Sequence, residues 1–356
     1  MALSPLLTRP GAVAGAGIDE GVAAHYGELA KEQRTLLNGT AVADMSHFDV
    51  VKLAGEDRIS WLNTLSSQAL IDLRPGQSTQ TLLLSVQGRI DFDIRVLADP
   101  ETLWLLVEPG QGAPLTAWLQ RMRFMLRVEI TDVSADFALV GSCAPQPALE
   151  AYPVWIDPWP QVIGGGYAYS APEHPGVERP WFEYIVPVTQ LQDAVASLDL
   201  AGMLAVEALR IAAWRPRFGF ETDDKTIPHE LDLVRTAVHL DKGCYKGQET
   251  VARVHNVGRP PRRLVFLQLD GSMHTLPALG STICVGEKVL GTLTSVASHF
   301  EAGPIGLALI KRNIDPDLEL EVVDGAERYA AKQEVIVSTD AGQTAGRFTG
   351  FIRPPR

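Results

Sequence analysis

At 356 residues the chain is too long for one typical core and long enough for two or three. It is 46% hydrophobic and 21% charged, an ordinary globular balance, and no apolar run reaches the roughly 20 residues a membrane-spanning helix needs. A formal charge of −12 argues against nucleic acid as the main partner, and three scattered cysteines (Cys143, Cys244, Cys284) make no disulfide framework, redox pair or cluster-binding set. The cytoplasm is the expected compartment.

In chain order, residues 1–17 are small and Pro/Gly-punctuated, with no basic region followed by an apolar stretch. They read as a flexible tail rather than a signal peptide. Ile18 to Asn38 reads as helix. A strand follows over Asp49–Leu53, and Asp57 is placed to N-cap a helix carrying Ile59, Leu62 and Leu65. Ser78–Val86 and Arg89–Ala98 read as strands about a turn at Gln87-Gly88, with Leu103–Glu108 beyond. Alternation along the second strand predicts that Asp91 and Asp93 share a face. A helix over Pro114–Leu126 and strands over Val128–Val133 and Phe137–Val140 come next. Pro145–Gly166 is loop-rich, and Tyr184–Val188 reads as a short strand. Helices over Leu191–Leu198 and Met203–Trp214 precede an irregular polar stretch, and another helix starts near Gln248. From Arg262 onward, short β-like runs between Gly and Asp turns predict a small antiparallel barrel or sandwich. The expected division is therefore 1–17, 18–259 (with two subdomains) and 260–356.

Lys242-Gly243-Cys244-Tyr245-Lys246-Gly247-Gln248-Glu249, extended by Thr250 to Arg253, closely resembles the signature of the YgfZ family of folate-binding proteins. Weaker segments resemble the wider glycine-cleavage T-protein (aminomethyltransferase) superfamily in the same order. They are His25-Tyr26-Gly27, Asp44 to His47, Gly88 to Asp93, Glu207 to Gly219, Gly291 to Ser295 and Gly306 to Ile310. The resemblance implies an α+β folate-binding fold around a central cavity with a C-terminal antiparallel β-barrel. It implies tetrahydrofolate as ligand and a role in assembling or repairing iron–sulfur clusters, with client or assembly proteins as partners. The alternative is a folate-dependent aminomethyl or other one-carbon transferase. Two departures bear on that choice. Ala212 stands where the T-protein helix carries a pterin-binding glutamate, with Trp214 in place of the following glycine, and Phe92 replaces the first of two paired aspartates.

Cys244 is the candidate reactive thiol: it lies between two lysines, ahead of a helix start and between glycines that leave the backbone open. Asp93, Arg210, Trp214, Lys242, Tyr245, Lys246 and Arg253 are the candidate folate contacts. Arg210 offers a bidentate partner for a carboxylate and Trp214, Trp181 and Tyr245 offer stacking faces. Lys242 to Arg263 carries six Lys/Arg against one acid, a run suited to a polyglutamyl tail. No metal-ligand spacing is present.

Overall fold

The structure, a computed structural model, describes residues 3–342. Two five-stranded sheets face each other. The first runs in the order Val154–Ile156, Phe182–Pro187, Phe137–Ser142, Ala41–Asp44, Asp199–Ala201, and the second in the order Ser78–Leu84, Ile90–Ala98, Thr102–Val107, Asp49–Ala54, Glu129–Asp132. Period-two alternation builds the layers. Val50, Trp104 and Leu106 point from the second sheet toward Ala43, Leu139 and Ile185 of the first. Val51, Leu103 and Leu105 point the other way, onto α2 (Arg58–Leu65, following α1 at Leu29–Leu37) and α3 (Gly112–Met122). On the far side of the first sheet, Val140, Tyr184 and Val186 pack with Leu6, Leu191 and Val195, where α4 (Leu191–Ala194) sits.

The same alternation sets up the site. Arg95 and Asp93 fall on the face of Leu97, toward the opposite sheet, while Ile94 and Val96 face the α2–α3 layer. Glu183 likewise follows the face of Ile185. α5 (Met203–Ala212) buries six side chains and packs on α1 and on the barrel strand Lys288–His299. After an irregular stretch and α6 (Gln248–Asn256), six antiparallel strands between Arg262 and Val335 close a barrel.

Four local expectations are corrected. The supposed flexible tail is packed in residues 3–17: Leu6 is fully buried, the Ser4 hydroxyl donates to buried Asp44 at 2.5 Å, and Val13–Ala14 pairs with Ala23–His25. The first helix begins only at Leu29, because Gly21 and Gly27 take positive φ (99° and 116°) and turn the chain. Asp57 does not cap α2 through its side chain; its carboxylate takes the backbone N–H and guanidinium of Arg127. Finally, the shared face of Asp91 and Asp93 is lost to a β-bulge. Leu83 pairs with Phe92 and Leu84 with Ile90, so Asp91 is the extra residue.

Candidate functional site

Where the two sheets and the end of α5 converge, the chain leaves a cavity that opens to solvent. Phe48, Trp155, Trp159 and Trp181 supply aromatic walls, and Met45, Met203, Val206 and Leu209 apolar ones. Apolar walls with a few convergent polar groups are what a small-molecule site requires. The polar groups are dense: five arginines and five carboxylates line the same space.

Most of that charge is consumed internally. Arg217, buried, spans Asp19 (2.8 Å), Glu108 (2.7 Å) and Glu207 (3.0 Å). Arg95 links the sheets, reaching Glu108 at 2.9 Å and Glu183 at 2.6 Å, with its guanidinium over the Phe48 ring. Arg215 pairs with Asp157 at 2.9 Å. Arg210 lines the cavity as a folate contact should, yet all five of its donors are engaged. It grips Glu207 through Nε and Nη2, Glu221 and the Arg215 carbonyl through Nη1, and Ser295 of the barrel through Nη2. It ties α5 to the barrel and would have to release a partner to hold a ligand.

Two carboxylates remain distinctive. Asp93 is reached from the cavity and accepts from Gln80 Nε2 at 2.7 Å; burial raises its pKa against the opposing charge of Arg215. Glu183 is buried, and its Oε1 takes both Arg95 Nη1 and Trp181 Nε1 (2.9 Å), while Oε2 is buried with no partner. Burial pushes the Glu183 carboxyl up too, against the lowering effect of Arg95. Arg179 Nε and Arg215 Nη1 are buried and unpartnered as well. Buried polar groups are nearly always satisfied, so three unpartnered atoms on residues that line one cavity set this region apart.

The remaining predicted residues lie elsewhere. Trp214 is not a cavity wall. It takes φ +57° and buries its ring in the core, edge-on to His174 at 5.5 Å. Lys242 Nζ donates to the carbonyls of Asn63, Ser66 and Gln68 at 2.6 to 2.7 Å, closing the C-terminal end of α2, and burial lowers its pKa to about 8. Tyr245 is core, with burial raising its phenol. Lys246 is exposed and 3.8 Å from Asp91, and Arg253 is exposed on α6. Cys244 is exposed on this loop and does not line the cavity. The structure thus brings Asp93 and Arg210 together and holds the other six apart from them.

The basic run is not one patch either. Arg262 is spent on Asp223 and Glu230, Arg259 on Asp340, and buried Arg263 on backbone carbonyls and Gln333. Cys143 is buried, its thiol pushed up to about 12 by that burial, and it lines the cavity.

Sequence reasoning missed Glu183, Arg179, Gln80 and the Trp155–Trp159 wall. A signal existed for Glu183: it is the lone acid in Phe182-Glu183-Tyr184-Ile185-Val186, and a charge in an otherwise apolar strand must be served by something.

Comparison with known proteins agrees with this architecture. Residues 9–147 match the GCVT N-terminal domain. An aminomethyltransferase of Rippkaea orientalis is 27% identical over 349 residues, covering 91% of this chain and 92% of that one. A chloroplastic protein of Arabidopsis thaliana, named as a transferase, is 26% identical over 77% of this chain and 66% of its own length. The crystal structure of the glycine cleavage system aminomethyltransferase T from Bartonella henselae superposes with a TM-score of 0.72 at 17% identity, over 94% of each chain, and shows the same fold. The chain is thus similar to aminomethyltransferases at low identity, matches the GCVT N-terminal domain over residues 9–147, and has the fold of the T-protein.

Proposed function

We propose that the protein binds tetrahydrofolate in the cavity between its sheets and, as the YgfZ-like loop at Cys244 suggests, supports iron–sulfur enzymes. The observation that carries the folate reading is the unpartnered Oε2 of buried Glu183, set among Trp155, Trp159 and Trp181. A reduced pterin offers a flat ring with adjacent N–H donors, which needs a carboxylate acceptor beside aromatic faces. Ala212 therefore does not leave the cavity without a pterin acceptor. Here Glu183 would hold the donor edge and Asp93 would hydrogen-bond or polarise the ring. When bound, the folate supplies a one-carbon carrier.

The placement of Cys244 supports the second half. Its thiol is exposed and lies outside the cavity, on a loop clamped by Lys242, where a partner macromolecule can reach it. The transferase alternative draws on Asp93, whose raised carboxyl stands in the cavity.

Titrating tetrahydrofolate against intrinsic fluorescence tests the folate reading directly, because three tryptophans line the cavity and ring stacking should quench them. No quenching and no calorimetric heat at millimolar reduced folate would reject it. Methylene-tetrahydrofolate formation above a no-protein control, in a reconstituted glycine-cleavage system, would favour the transferase instead.

A further inference from the structure

Four of the five arginines lining the cavity are ion-paired: Arg95, Arg210, Arg215 and Arg217. Arg179 is the exception among the described residues. Its Nη1 donates to the Ala212 carbonyl at 2.8 Å, at the end of α5, and its Nε is buried with no partner. Burial lowers its pKa, with Glu178 and Glu301 too far away to form ion pairs. A guanidinium half withdrawn from water without a counter-ion is costly unless something anionic completes it. Arg179 is partly exposed, next to exposed Pro180, whereas Glu183, which lines the same cavity, is buried.

Resting on the folate reading above, we propose that Arg179 is the anchor for the ligand's carboxylate end. The cavity would then select a glutamyl-bearing reduced pterin over the same ring system without free carboxylates. The free acceptor at Glu183 and the free cation at Arg179 match a molecule with a donor edge at one end and a carboxylate at the other. A planar guanidinium already fixed through Nη1 keeps Nε and Nη2 on one edge, the geometry that takes a carboxylate bidentately.

The rival account is that Arg179 only caps α5, donating to its last turn. Calorimetry separates the two, using tetrahydrofolate and its analogue with both glutamyl carboxylates converted to amides. The wild-type protein should bind the diamide roughly 10- to 100-fold more weakly, the range for a charge-assisted pair. Arg179→Gln should weaken tetrahydrofolate by a similar factor and leave the diamide unchanged, and Arg179→Lys should recover part of the loss. Equal wild-type affinity for the two compounds, which needs no variant to measure, would overturn the anchor and leave the folate reading standing. So would an equal loss for both in Arg179→Gln, as a capping role predicts. Binding of neither compound by the wild type removes the folate reading, and this inference with it.

Discussion

Glu183→Gln isolates the contact on which the functional reading depends. In the wild type, Oε1 receives Arg95 at 2.6 Å and Trp181 at 2.9 Å, and Oε2 is left over. Glutamine keeps an oxygen for those two donors but sets an NH₂ where the free acceptor was. A pterin donor edge would then face donors, and losing a hydrogen bond to a charged group is worth about 1.5–3 kcal/mol, or roughly 10- to 150-fold in Kd. The fold should suffer less. Arg95 keeps Glu108 at 2.9 Å, so the loss in unfolding free energy should stay below the roughly 3–5 kcal/mol of a buried charge left with no partner. The pH dependence has a sign as well. A carboxyl raised by burial must ionise before it can accept two donors, so wild-type affinity should rise with pH toward neutrality, more steeply than that of Glu183→Gln. Anaerobic calorimetry with tetrahydrofolate, paired with thermal denaturation, reads both quantities. An unchanged Kd in a folded variant would mean that Glu183 serves only the link between the sheets.

Two other perturbations probe the loop and the scaffold. Cys244 should alkylate fastest of the three cysteines, since Cys143 and Cys284 are buried, and Cys244→Ser should unfold normally yet fail to restore iron–sulfur enzyme activities in a deletion strain. Preferential labelling of Cys143 or Cys284, or full complementation, would reduce Cys244 to a packing residue. For Asp19, burial alone would raise the carboxyl, but the His47 hydrogen bond and the Arg217 charge lower it from 3.8 to about 2. A lowered carboxyl stabilises the fold above its unfolded pKa and loses that contribution as pH falls through the folded value. Asp19→Asn should therefore cost roughly 2.5 kcal/mol at pH 7 and about half that by pH 3 in denaturant unfolding. A deficit that persists undiminished in acid would mean that packing, not charge, is what the substitution removes.

The sequence was most legible where one physical rule acts alone. Alternation located the strands on either side of the Gln87-Gly88 turn, and Gly- and Asp-punctuated β runs announced the barrel that closes between Arg262 and Val335. It was least legible where the outcome depended on partners distant in the chain. Arg210 invites a ligand when read on its own helix, but Glu221 and Ser295 arrive from other segments and use up its donors. Lys242 and Arg262 look like one basic face until three carbonyls and two carboxylates claim them. Trp214 looks available for stacking until its positive φ turns the ring into the core.

Charge accounting in the cavity brings these points together. Asp93, Glu108, Asp157, Glu183 and Glu207 oppose Arg95, Arg179, Arg210, Arg215 and Arg217, so the lining is nominally balanced. The pairing is not balanced: Asp93 is held by an amide rather than a cation, and Arg179 by a carbonyl rather than an acid. Arg179 has no acid partner among the described residues, while Glu183 keeps an oxygen without a partner. On the folate reading proposed above, Glu183 would meet the ring where position 212 offers no acid, and Arg179 would favour a ligand that brings its own negative charge.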